Sequence, residues 1–284
     1  SRAPVSIRAG RPITAGSQVV VHHDVSPDGR WIVFDNSVRG SEGLYKVPVS
    51  GGDAVQVTEA PLHAVYPRFS RDGRELAFYV GSAGTWSNRV MPAAGGAPVA
   101  LPEGPGLNFA PNWSPDGLRI ASAVRRHGRA ECWLLTRDSV GGEWRGPVAL
   151  GDFACYPGDW APDGSGFVSS RGAEHDEGAA TMVLVAADGR ATRRALPAAS
   201  RLRLGSFPLY SRDGRTIYCS GVHDDGRRGV WAIPAAGDGE PRLVIEYDDP
   251  TLVNYWGFLS VGPDRLYLTV AEYESDIWVA RLRW

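Results

Sequence analysis

The sequence predicts an all-β chain of six four-stranded antiparallel blades, a β-propeller formed by a single domain spanning residues 1–284. Three observations predict it. A Ser-Pro-Asp-Gly turn returns at a nearly constant interval, and the chain is rich in turn residues, with 35 Gly and 21 Pro. No long stretch carries the period of a helix.

The turn occurs as Ser26-Pro27-Asp28-Gly29, Ser70-Arg71-Asp72-Gly73, Ser114-Pro115-Asp116-Gly117, Ala161-Pro162-Asp163-Gly164 and Ser211-Arg212-Asp213-Gly214. A sixth copy, Gly262-Pro263-Asp264, lacks the glycine. Proline presets φ at the second turn position, aspartate hydrogen-bonds nearby backbone, and glycine takes a positive φ without steric cost. The turn aspartates lie about 44 to 51 residues apart, the period of a four-stranded blade.

Each repeat then follows one grammar. Three residues before the aspartate stands an apolar or aromatic residue: Val25, Phe69, Trp113, Trp160, Tyr210 or Val261. After the turn comes an apolar strand such as Trp31-Ile32-Val33-Phe34, and beyond a polar loop a third strand such as Leu44-Tyr45-Lys46-Val47. A Gly turn (Gly51-Gly52, Gly95-Gly96, Gly141-Gly142) leads into a more polar fourth strand. The middle strands are apolar on both faces, as a blade sandwiched between two neighbours requires. The last repeat has no fourth strand of its own, so residues 5–14 are expected to supply it and close the ring, leaving no long exposed edge.

Composition narrows the function classes. Net charge is −2, which gives no electrostatic footprint for nucleic acid. No apolar run approaches the roughly 20 residues that span a bilayer, so no membrane insertion by this domain is expected. Cys132, Cys155 and Cys219 are odd in number and fall in different repeats, which predicts buried inert thiols rather than a disulfide framework. The chain opens at Ser1 with neither Met nor an apolar leader, as a mature form or an excised domain would.

The turn preceded by an aromatic residue, the Gly-Gly turn after the third strand and the closing Glu274-Ser275-Asp276-Ile277-Trp278-Val279 resemble the TolB-like (PD40, WD40-like repeat) family of six-bladed propellers. The resemblance covers essentially the whole chain. It implies a non-enzymatic, monomeric propeller of a bacterial protein, a sensor or interaction domain in a periplasmic or extracytoplasmic setting. The α/β domain that precedes the propeller in TolB itself is absent from this sequence.

In a propeller the Asp-Gly and Gly-Gly turns share one face, and the longer, more varied connections share the other, where binding is expected. All six histidines map to that second face: His22, His23, His63, His127, His175 and His223. The axial mouth there collects Tyr66, Phe109, Tyr156, Phe207, Trp256 and Phe258, an aromatic lining suited to a peptide, protein or small ligand. The candidate ligand-binding set is therefore His22, His23, Asp24, His63, Tyr66, Arg68, Phe109, Tyr156, Phe207 and Trp256. Core packing between blades is the competing reading of the aromatic residues. Four residues before each turn aspartate, the inner strands carry Asp24, Arg68, Asn112, Asp159, Leu209 and Ser260. Polar groups so deep must pair or line a watered channel, and an Asp24–Arg68 pair is expected.

No catalytic residue, metal or cofactor is expected. No Gly-x-Ser-x-Gly elbow occurs. Lactonase-like propellers need an Asn before such a turn and an Asp after the next strand, and blade five has neither. The alternative is a metal-dependent lyase or lactonase-like enzyme built on axial His and Asp, with His22, His63 and Asp24 as its best cluster and Gln18 as a faint further match.

Overall fold

A computed structural model describes residues 3–14, 19–38, 42–59, 62–82, 84–171, 181–187, 193–195, 201–204 and 207–272. The turns explain the repeat. In the first, the Ser26 hydroxyl donates to the Asp28 carboxylate at 2.6 Å and accepts from the Trp31 N–H at 2.9 Å. The same carboxylate takes the Arg30 N–H at 3.0 Å, and Gly29 closes the turn with φ of 72°. Ser70, Ser114 and Ser211 repeat this bridge. Where Ala161 replaces the serine, Asp163 takes the hydroxyl of Ser165 instead. Each turn therefore fixes the register of the hairpin it joins.

Those hairpins build a ring of six sheets. The first blade runs His23–Val25, Trp31–Asn36, Gly43–Pro48, Val55–Gln56, and the second Ala64–Phe69, Glu75–Ser82, Thr85–Pro92, Val99–Ala100. The third comprises Leu107–Trp113, Arg119–Arg126, Arg129–Thr136 and Arg145–Ala154. The fourth comprises Tyr156–Trp160, Gly166–Arg171, Thr181–Ala186 and Arg193–Ala195. The fifth is built on Thr216–His223, Arg228–Pro234 and Arg242–Glu246, with Leu202–Leu204 and Leu209–Tyr210 both paired to the first of these. Leu252–Val261 and Leu266–Glu272 form the sixth sheet, and Leu252–Val261 packs against both Thr216–His223 and His23–Val25.

The core lies between sheets. Val33, Leu44 and Phe78 of neighbouring blades pack together, as do Val168, Met182, Ile217 and Trp231. Trp113 donates to the Arg68 carbonyl of the previous blade at 3.2 Å and Trp160 to that of Asn112 at 3.0 Å. The aromatic residue ahead of the turn is thus a stitch between blades as well as a core residue.

Three expectations are corrected. Five blades are complete, not six: the sixth sheet has two strands among the described residues, and its expected third strand, with the closing segment 274–279, lies outside them. Among the described residues the N-terminal strand is not paired with the sixth sheet. Val5–Ser6 pairs in parallel with Ile245 and Glu246 on the outer edge of the fifth sheet. Polar anchors hold it there: Ser6 Oγ donates to Asp248 at 2.9 Å, and Arg8 pairs with Asp249. The chain then turns through a 3₁₀ segment, Ile7–Ala9, and Arg11 reaches the Val49 carbonyl of the first blade at 3.0 Å. Finally, Cys132 and Cys155 form a disulfide, with Cα atoms 5.3 Å apart and Cys219 free and buried. Residues 23 apart in sequence meet because the connection to the fourth blade doubles back beside the third strand of the third, where Cys155 N–H donates to the Ala130 carbonyl.

Candidate functional site

The inner strands break register at one level in four sheets: Val65/Arg68, Phe109/Asn112, Pro157/Trp160 and Asn254/Leu259. Tyr66 and Ala110 sit at such breaks with φ of 58° and 50°, a strained region for a residue with a side chain. The bulges divide the axis into two ends of different character.

Toward the loop-rich end, rings fill the axis. His22 lies 4.2 Å from Phe258 and 5.2 Å from Tyr66 between centroids. Tyr66 contacts Phe207 at 5.4 Å, Phe207 contacts Tyr156 at 6.1 Å, and Tyr156 contacts Phe109 at 6.0 Å. Tyr66, Phe109 and Tyr156 are buried. Among the described residues, the candidate rings Tyr66, Phe109, Tyr156 and Phe207 each contact another ring of the protein.

Beneath the plug, Asp35 is fully buried. Its carboxylate accepts the backbone N–H groups of Val21 and His22, each at 3.0 Å, and of Tyr66 at 3.3 Å. His22 Nδ1 stands 2.5 Å away. Burial alone would raise the Asp35 carboxyl, but the His22 ring and the N–H donors prevail and hold it below its ordinary value.

The other candidates do not converge on a metal. His23 is buried, bonds Thr269 at 3.0 Å through Nδ1, and is kept neutral by desolvation, its pKa lowered to about 4. His63 is exposed, and Asp24 faces the opposite end of the axis. Trp256 belongs to the Leu252–Val261 strand, its side chain outside the described residues together with Gln18 and His175. Among the described residues no three His, Cys, Asp or Glu side chains come together to hold a metal ion.

The opening lies at the turn end, where a cavity of about 550 Å³ is enclosed by the inner strands and the turns. Its floor carries Asp24, Arg68, Asn112 and Asp159, and Trp113 and Trp160 form part of the wall. The expected pair is formed, with Arg68 Nη1 3.7 Å from Asp24. These polar groups also stitch the ring: Asp24 accepts from Phe69 N–H at 2.8 Å, Asn112 Nδ2 donates to the Pro157 carbonyl at 3.0 Å, and Asp159 accepts from Tyr210 N–H at 3.1 Å. Arg68 Nη2 donates to Tyr66 Oη at 3.2 Å, which ties the floor to the plug.

Burial raises the Asp24 carboxyl against the charge of Arg68, and it raises that of Asp159 as well. It pushes the Asp159 pKa up to about 6, with Arg71 and Arg68 opposing and Asp24 adding to the rise. The folded state therefore holds a proton between pH ~4 and ~6 that the unfolded chain has released, and stability falls as pH rises through that window. Asp159→Asn removes this penalty while its side-chain oxygen still accepts from Tyr210. We expect stabilisation of about 2 kcal/mol at pH 8 and little change at pH 4, read from thermal melts at both pH values. Equal melting temperatures for wild type and variant at pH 8 would contradict the assignment.

Sequence reasoning missed Arg71 and Arg212, which line the mouth of this cavity. The signal was available in the second position of each turn.

No family model matches the chain and no curated protein matches it. Solved structures do. A structure assigned as TolB from Agrobacterium tumefaciens superposes with a TM-score of 0.72 at 18% identity, covering 95% of this chain and 97% of that one. TolB from Acinetobacter baumannii gives 0.64 at 15% identity, covering 82% of this chain and 58% of that one. An oligogalacturonate lyase in complex with manganese gives 0.55 at 17% identity, covering 84% and 68%. At these identities the likeness establishes architecture: the fold is a TolB-like β-propeller.

Proposed function

We propose that this chain is a non-enzymatic binding propeller, a sensor or interaction domain of a larger bacterial protein, and that its ligand occupies the turn-end cavity. One observation carries the reading: rings pack one end of the axis, while the other end opens as a cavity whose polar floor is already fixed by bonds between blades. A floor ordered before binding spares a ligand the cost of ordering it. The TolB-like neighbours support an interaction role. A disulfide is characteristic of oxidising compartments and supports an extracytoplasmic setting. The lyase likeness supports the enzymatic alternative through fold alone, and the His22, His63 and Asp24 cluster that alternative relied on is dispersed.

The test is a thermal-shift screen with small metabolites and short peptides, repeated on Val261→Phe, which fills part of the cavity. We expect a hit that stabilises wild type, loses its effect on the variant, and is recovered chemically unchanged after long incubation. Conversion of the compound, or a shift that Val261→Phe leaves intact, would overturn the reading.

A further inference from the structure

The six turns differ in one position that the repeat does not explain. At the second place of each stand Pro27, Arg71, Pro115, Pro162, Arg212 and Pro263. Where it is proline, the ring packs against the glycine of the next turn. A Cβ at Gly29 would stand 2.7 Å from Pro263, at Gly214 3.2 Å from Pro162, at Gly73 3.4 Å from Pro27 and at Gly164 4.0 Å from Pro115. The two remaining junctions follow Arg71 and Arg212. Gly117 meets no atom of Arg71, and the sixth turn, after Arg212, has no glycine in that place.

The exceptions are three repeats apart, so in a ring of six sheets they lie on opposite sides. Both belong to the same five residues, Ser-Arg-Asp-Gly-Arg, at 70–74 and 211–215. Two floor residues follow the same period, with Asp24 in the first repeat and Asp159 in the fourth. The two arginines are therefore related by half a turn of the ring, whereas the other floor positions are not, Arg68 standing opposite Leu209 and Asn112 opposite Ser260.

Two of the three arginines that follow a turn glycine are neutralised locally, Arg30 by Asp28 at 2.7 Å and Arg74 by Asp72 at 3.8 Å. Arg71 and Arg212 are exposed, line the cavity, and neither donates a hydrogen bond to nor forms an ion pair with any described residue. The floor carboxylates are occupied, Asp24 by two backbone N–H groups and Arg68, and Asp159 by Tyr210 N–H. The cavity is thus lined at its mouth by two guanidinium groups that are bonded to no described residue, the Arg71 charge also acting at a distance on the Asp24 and Asp159 carboxylates.

We propose that the cavity binds a small dianion, one anionic group seated on Arg71 and the other on Arg212. This rests on the assignment of the turn-end cavity as the ligand site and names the ligand class. Guanidinium suits the task because it offers a carboxylate or phosphate two parallel N–H donors. The volume accommodates a compact organic acid.

The experiment is calorimetric titration of the protein at low ionic strength with linear dicarboxylates from malonate to suberate and with pyrophosphate. Acetate and putrescine are the controls. One-to-one binding with an optimum at one length is expected, with acetate much weaker and putrescine inert. Arg71→Gln and Arg212→Gln should each weaken the best probe by about tenfold or more, as loss of a charge-assisted contact does. Both arginines are exposed, so the variants should melt with wild type. Absence of binding by every dianion, or binding that both variants retain, would overturn the proposal. If neutral or cationic compounds still bind in a manner sensitive to Val261→Phe, the dianion assignment alone fails. If no compound of any charge binds there, the cavity reading fails with it.

Discussion

Asp35→Ala is expected to destabilise the protein by about 3 to 5 kcal/mol, the range for removing one member of a buried, fully bonded charged cluster. Four groups lose their acceptor at once: the N–H groups of Val21, His22 and Tyr66, and the His22 ring. Tyr66 is also held at φ 58° with its N–H on this carboxylate, so the plug should loosen with the blade junction. The pH dependence follows from the direction of the Asp35 shift. Its folded value lies below the ordinary 3.8, so its stabilisation is present above about pH 4 and disappears as pH falls through the folded value. Urea unfolding at pH 7 and pH 3 reads both effects: a large gap between wild type and variant at pH 7 should narrow in acid. A gap below about 1 kcal/mol at pH 7 would show that water replaces the carboxylate and that the cluster is not a structural centre.

The second large effect belongs to the disulfide. Cross-linking two residues 23 apart restricts the unfolded chain by about 3 kcal/mol in the loop-entropy account. Cys132→Ser with Cys155→Ser, or reduction of the wild type, should lower the melting temperature by several degrees. The loop contains the whole outer strand Arg145–Ala154, so hydrogen exchange in that strand should accelerate most. Thiol titration gives an independent check. Unreduced denatured protein should show one reactive thiol, Cys219, and three after reduction; three before reduction would refute the bond.

The architecture was legible in the sequence because its cause is local. Ser-x-Asp-Gly needs only residues within five positions of one another, so every copy announces its own hairpin, and two-faced apolar strands announce neighbours on both sides. The Asp24–Arg68 pair was legible for a related reason: matching places in adjacent repeats must be adjacent in space. Other features depended on contacts without a period. Val5 and Ser6 can extend any open edge, and side-chain anchors at Asp248 and Asp249 chose the fifth sheet. Cys132 and Cys155 meet through a connecting loop rather than through the repeat. The aromatic residues gave no sign of whether the axis was open, because the answer lies in how rings from four strands and two connections pack together. Arg71 and Arg212 were visible all along as departures from proline, but the outward turn face was not expected to surround a cavity.

The plug has a kinetic consequence. A propeller axis open at both ends would let a ligand pass through, and a second molecule could displace the first from behind. Here the Tyr66 and Phe207 rings and their described neighbours pack across the far end, so a ligand held in the cavity would enter and leave by the turn-end mouth. Loading and release share that opening, between the same two fixed charges. Association should be fast and strongly slowed by salt, whereas the lifetime of the complex is set by escape past the guanidinium groups that attracted the ligand. If the cavity is the ligand site proposed above, it would respond to ligand concentration over time rather than to flux.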